Sequence, residues 1–269
     1  MICVDRSGSM ATSMESNWLP QGGNLQRSAA DELSRLVEVK EAFKNLVSRI
    51  SAQRLPTHLG LVTFSRLPTT KQRITPVLYD FQNQLDEIQA EDLTSIYDSL
   101  LRAKEMLDEF RSSNPRVKCR IVVLTDGEDN HSASKAQDVC SILYKSDIVL
   151  DAIVIGTNET EDLFKMAKHT GGYAFHPQTR DMMFQIFLLD GCIDIGSRPD
   201  IEKVPIDSYA TSKPKVADMD SIYDIPPRRA QPYEDDSFIA LEGASKHFAS
   251  MLDRQDSSSA PSGKLIPSP

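Results

Sequence analysis

Cysteine and basic charge are both in short supply in this chain. Four cysteines and a single tryptophan occur in 269 residues, and the formal net charge is −9. Cys3, Cys119, Cys140 and Cys192 are scattered, with no C-x-x-C pair, which argues against a disulfide framework. Cys3 and Cys119 fall in apolar runs and read as small buried thiols. This usage favours a reducing compartment, and on it we expect a cytoplasmic protein. The negative balance opposes broad nucleic-acid binding, which needs a basic face, and adhesion to an anionic membrane. The sequence contains no apolar run long enough to cross a bilayer. No basic-then-apolar signal segment opens it either, since it begins in what reads as a core strand. The five histidines (His58, His131, His169, His176, His247) lack ligand spacing and read as core or surface residues. Neither a G-x-x-x-x-G-K-[ST] loop nor a G-x-G-x-x-G turn occurs, so phosphate chemistry lacks its usual parts.

What remains is an ordinary globular composition, 40% hydrophobic and 26% charged, in a chain long enough for a sizeable core. Strand and helix patterns alternate along it. Ile2-Cys3-Val4 opens a strand, but only four residues precede Asp5. That is fewer than the five or six usual for a central strand and is consistent with a truncated first strand. Met10 to Arg27 reads as a loop holding Trp18, which is placed either to receive a partner or to pack over the sheet. Ser28-Ala29-Ala30-Asp31 resembles a helix-start capping box. The apolar spacing from Leu33 to Ile50 then predicts an amphipathic helix over about 29–51.

His58 to Phe64 reads as a strand, Arg66 to Lys71 as a turn, and Gln72 to Leu78 as a short antiparallel return on which Pro76 suggests an edge. A short helix is expected over 81–89 and a longer one from Thr94 to the Asn114-Pro115 stop. Val117 to Leu124 is a near-continuous apolar strand of the kind that suits a parallel sheet covered on both faces. Helix 134–145, strand 148–155, helix 161–169, strand 173–176 and helix 181–189 follow. Asp151, the odd polar member of its strand, reads as an edge or hydrogen-bonded residue rather than a catalytic one. The predicted architecture is a three-layer α/β/α sandwich: a mostly parallel central sheet with one short antiparallel edge strand. We assign residues 1–192 to this domain.

Composition shifts after about Ser197. Nine of the fifteen prolines lie from Pro199 onward and apolar periodicity fades, so residues 193–269 read as a largely disordered Pro/Ser-rich tail. A docking segment or short helix is considered near 237–252, and Pro226-Pro227-Arg228-Arg229 as a proline-rich recognition motif.

Chemistry concentrates in three places. Asp5-Arg6-Ser7-Gly8-Ser9 puts one carboxylate and two hydroxyls on alternate residues, and in an extended segment such side chains point one way. Asp126 follows the best strand in a polar turn, Thr125 to Asn130. Thr94 opens a helix after the second and third strands. Ligands in open α/β sheets collect at the carboxyl ends of strands, so these residues converge on one edge. The donor set of hard oxygens suits Mg²⁺.

At these residues the chain resembles the von Willebrand factor type A family, over roughly Met1 to Asp190. Asp5, Ser7, Ser9, Thr94 and Asp126 match the family's metal-ion-dependent adhesion site in order. The resemblance implies Mg²⁺, or else Mn²⁺ or Ca²⁺, at the top of the sheet. Ser7 and Ser9 would bind it directly, Thr94 directly or through water, and Asp5 and Asp126 mostly through water and by charge. A partner's Asp or Glu would complete the coordination. The family often has glycine just before the threonine, whereas Glu91-Asp92-Leu93 stands here; the two acids either raise metal affinity or are simply solvated, and we read them as solvated. The function expected is therefore a protein-interaction module and not an enzyme, with no catalytic residues.

Two other readings stay open. One is a Mg²⁺-dependent phosphoester hydrolase using Asp5 as nucleophile, for which a second aspartate two residues on is lacking. The other is the type A part of a larger ubiquitin-system protein.

Overall fold

The computed structural model describes residues 1–13, 34–91, 93–156, 160–190 and 203–217. Trp18, the capping box at 28–31, Asp92, Cys192, His247, the 226–229 tetrapeptide and the 237–252 segment lie outside these residues. Among the described residues six strands form one sheet in the order β3-β2-β1-β4-β5-β6. They are β1 (Ile2–Asp5), β2 (Leu59–Phe64), β3 (Pro68–Thr75), β4 (Cys119–Thr125), β5 (Ile148–Val154) and β6 (Ala174–Phe175). Only β3 runs antiparallel, on the outer edge of β2. This is the expected sandwich.

Strict alternation divides the strand residues between two cores. Ile2, Val4, Leu59, Leu61, Val122, Leu124 and Ile153 face one side. There they meet α1 (Arg35–Ala52), α2 (Leu78–Asp86) and α6 (Arg180–Asp190), with Phe43 and Phe187 edge to face at 4.6 Å. Cys3, Val62, Phe64, Ile121, Val123, Ala152 and Val154 face the other. They meet α3 (Ile96–Ser113), α4 (Ala136–Lys145) and α5 (Glu161–Thr170). Cover on both faces explains the near-continuous apolar runs.

Three local expectations need correction. Among the described residues, the helix expected over about 29–51 begins at Arg35, with Ser34 extended before it and its Oγ accepting from the Val37 amide at 3.4 Å. The edge strand begins at Pro68, so much of the segment read as a turn is strand. Thr69 and Thr70 pair with Thr63 and Val62, a β-branched match, and proline is tolerated at a strand's first position. Finally, residues 203–217 are not loose tail. A 3₁₀ turn, Ile206–Thr211, inserts Tyr209 into the α4/α5 face, where its hydroxyl donates to the Asp162 carbonyl at 3.3 Å. The Ala217 amide donates to the Ala174 carbonyl of β6 at 2.7 Å. One aromatic in a polar stretch carries no periodicity, so this strap has no pattern to read in the sequence.

The chain order runs outward from the centre of the sheet, β1 to β3 on one side and β4 to β6 on the other. The topological switch point thus lies between β1 and β4, and the crevice at their carboxyl ends is where such sheets place ligands.

Candidate functional site

β1 ends in Asp5, fully buried. The Ser7 amide donates to its Oδ1 at 2.7 Å and the Thr125 hydroxyl to its Oδ2 at 2.5 Å. Burial pushes the Asp5 carboxyl up to about 7, against the pull of these two donors. Ser7 is still extended, but Ser9 falls within a 3₁₀ turn, Gly8–Ala11. The alternation expected of an extended segment therefore holds only to Ser7, and the turn completes the convergence. It leaves the Ser7 and Ser9 hydroxyl oxygens 3.0 Å apart.

β4 delivers Asp126 beside them, also buried. The Ser9 hydroxyl donates to Asp126 Oδ1 at 2.7 Å. Asp126 Oδ2 is taken by Nη1 of Arg35, the first residue of α1, at 2.7 Å. The Arg35 amide donates to the Thr12 carbonyl at 2.9 Å, so the start of α1 is tied to the turn that carries Ser9.

Thr94 enters from the loop before α3 and is buried. Leu93, just before it, has φ of 68°, the left-handed region that favours glycine. The family's usual glycine is thus replaced at a position where the backbone still takes a glycine conformation. The loop is bolted on both sides. Arg6, whose amide donates to the Phe64 carbonyl, accepts the Glu91 amide on its own carbonyl at 2.6 Å and pairs its guanidinium with the Glu91 carboxylate at 2.5 Å. The Ser65 hydroxyl adds a bond to Glu91 at 3.0 Å. Glu91 is exposed, as expected of a solvated acid, and it also anchors the loop through Arg6 and Ser65. From the β4 side, Asn130 Oδ1 accepts the Thr94 amide at 2.9 Å, and Asp129 Oδ1 accepts the Ile96 amide at 2.6 Å at the start of α3. Ser9, Thr94, Gly127, Glu128, Asp129 and Asn130 line an open hollow of about 420 Å³.

All five residues singled out in the sequence are at this edge. Ser7, Ser9 and Asp126 form one hydrogen-bonded set, Asp5 joins it through the Ser7 amide, and Thr94 faces the same hollow as Ser9. Sequence reasoning missed Thr125, Arg35 and the anchoring role of Glu91. A usable signal existed for Arg35: a cation in the first turn of a helix opposes the macrodipole, and such a broken local rule marks a tertiary purpose. Placing the helix start six residues early concealed it.

Among the described residues no group of three or more His, Cys, Asp or Glu side chains is arranged for a metal ion. The donors here are instead hydroxyls supported by two carboxylates. That set fits a hard divalent cation, because it offers only oxygen and keeps charge low enough to leave the ion attractive to an outside anion.

The Asp151 reading also resolves. It is buried in β5, paired with Arg120, and its Oδ1 accepts the Tyr173 amide at 2.6 Å.

Comparison with known proteins agrees with this architecture. The bovine calcium-activated chloride channel regulator 1 is 25% identical over 179 residues, 65% of this chain and 17% of that protein. A protein of Acanthamoeba polyphaga mimivirus described as a "Probable bifunctional E2/E3 enzyme" is 29% identical over 175 residues, 64% of this chain and 14% of the relative. The chain thus matches less than a fifth of the length of either. Solved structures share the fold. The von Willebrand factor type A protein from Catenulispora acidiphila has 17% identity and a TM-score of 0.52, over 71% of this chain and 41% of that one. Proximal thread matrix protein 1 of the mussel byssus, in a form with a zinc-occupied MIDAS motif, has 20% identity and a TM-score of 0.51, over 71% and 44%. The SpRpn10 VWA domain has 16% identity and a TM-score of 0.51, over 69% and 92%. The family model for the von Willebrand factor type A domain matches residues 1–188, and the chain belongs to that family.

Proposed function

We propose that this chain is a metal-dependent protein-binding module. Ser7, Ser9 and Thr94, backed by Asp5 and Asp126, would hold a divalent cation, Mg²⁺ by the hardness of the donors, with Mn²⁺ or Ca²⁺ as substitutes. The cation would supply an electron-poor centre for an Asp or Glu carboxylate of a protein partner. The observation that carries this reading is the contact between the Ser9 hydroxyl and Asp126, 117 positions apart in sequence, with the Ser7 hydroxyl 3.0 Å from that of Ser9. Neutral oxygens and an acid meet at the switch-point crevice, where turn formation alone needs none of them. Asp5 speaks against a hydrolase: both its oxygens already accept hydrogen bonds, which suits a fixed charge better than a nucleophile.

The test is recovery of partners from lysate on the immobilised chain in Mg²⁺, in EDTA, and in Mg²⁺ with Asp126→Ala. Recovery confined to the first condition is expected. Equal recovery in all three would falsify metal-bridged binding.

The mimivirus relative favours a second, compatible context, in which the module is part of a larger ubiquitin-system protein. In that case the partners recovered in Mg²⁺ would be enriched in ubiquitin-pathway proteins.

A further inference from the structure

Asp126 already has a cation. Its Oδ2 accepts from Arg35 Nη1 at 2.7 Å, and the Arg35 side chain is only 11% exposed. The pair is incomplete. Only one guanidinium nitrogen of Arg35 reaches the carboxylate, while Arg35 Nε is buried with no hydrogen-bond partner. A guanidinium is suited to a two-pronged grip on a carboxylate. Here the second Asp126 oxygen goes to the Ser9 hydroxyl instead. Arg35 also cancels one of the two carboxylate charges of the site, and it does so from the first residue of a helix whose dipole adds positive potential in the same direction.

We propose, resting on the metal-site reading above, that Arg35 is a built-in counter-cation that competes with the metal for Asp126. Two consequences follow from charge alone. Arg35 weakens loading, because a divalent ion must share or take over a carboxylate already engaged. It also leaves the loaded site one unit more positive than two carboxylates would, which raises its attraction for an outside carboxylate. A lowered affinity for the metal and a stronger pull on an outside carboxylate would then have one origin. Arg35 is a positioning residue in this account and not a ligand.

The experiment is a Mg²⁺ titration of the full chain followed by thermal unfolding, for the wild type, Arg35→Met, Arg35→Gln and Arg35→Lys. In EDTA, Arg35→Met is expected to unfold at lower temperature than wild type, because Asp126 is left buried and unpaired. Added Mg²⁺ should raise its unfolding temperature by more than it raises that of wild type. The Mg²⁺ midpoint should fall about tenfold, roughly the effect of one unit charge a few Å from a divalent ion. Arg35→Gln keeps an N–H donor and should shift the midpoint in the same direction at less cost to folding, so it decides the matter if Arg35→Met does not fold. Arg35→Lys should keep the wild-type midpoint. A purely structural Arg35 would lower the unfolding temperature equally with and without Mg²⁺, and an unchanged midpoint in the Met and Gln variants overturns the proposal while leaving the metal site intact. Absence of any Mg²⁺ response in wild type and variants alike overturns the metal site itself and the proposal with it.

Discussion

Two buried arginine–aspartate pairs stand on neighbouring parts of this sheet, and they are built differently. Asp151 sits in the middle of β5. Arg120 grips its Oδ2 through both Nε and Nη2, and the Tyr173 amide takes its Oδ1. Gly172 packs so closely that an added Cβ would lie 1.9 Å from the Leu150 carbonyl oxygen, so the backbone before Tyr173 is locked against β5. Asp126 sits just past the end of β4 at the crevice, with one guanidinium nitrogen and one hydroxyl. The first pair is finished; the second is held in a way that can be rearranged. Residue type is the same and burial similar in both, so neither separates a pair that only holds the fold from one that the proposed metal site would use. Completeness of the hydrogen bonding and position relative to the strand end do.

The comparison breaks most visibly at the finished pair. Asp151→Ala removes the acceptor that Arg120 and the Tyr173 amide share and is expected to cost about 3–5 kcal/mol, the usual penalty for removing one partner of a buried pair. Denaturant unfolding measures this, and the Mg²⁺ midpoint should not move. A loss under about 1 kcal/mol would remove the distinction drawn here.

Thr125→Val sharpens the other side. It keeps the shape of the side chain but deletes the donor to Asp5 Oδ2, at an expected cost of about 1.5–3 kcal/mol at pH 8, where Asp5, with its carboxyl pushed up to about 7, is mostly charged. Unlike Asp151→Ala, it should also shift the Mg²⁺ midpoint, because Asp5 loses one of the two groups that fix it.

Leu93→Gly should have the smallest effect. Relief of the left-handed backbone is worth roughly 1–2 kcal/mol, set against roughly 0.5–1 kcal/mol of added chain entropy and some lost contact. A change within about 1 kcal/mol is expected by chemical denaturation. A large loss would mean that the Leu93 side chain, and not its backbone, holds Thr94 in place.

Much of this was legible in the sequence because it depends on local pattern. Near-continuous apolar runs marked the buried strands, and Asn114-Pro115 marked the end of α3. The three polar clusters could be assigned to one edge once the strands were taken as parallel. What stayed hidden depends on pairs far apart in the chain. Arg35 meets Asp126 across 91 positions and Arg180 meets Glu38 across 142. Thr125 read as part of a turn because nothing local shows that its hydroxyl reaches Asp5. Leu93 hid a glycine conformation under an apolar side chain, where composition points the other way.

The strap at 203–217 bears on how the protein is to be handled. A domain trimmed at residue 192, the boundary expected from the sequence, would lose Tyr209 from the α4/α5 face. It would also uncover the outer edge of β6, a two-residue strand that the Ala217 amide otherwise meets. Bared strand edges recruit other chains. Clumping of such a fragment would say little about the metal site and a good deal about where the folded body stops.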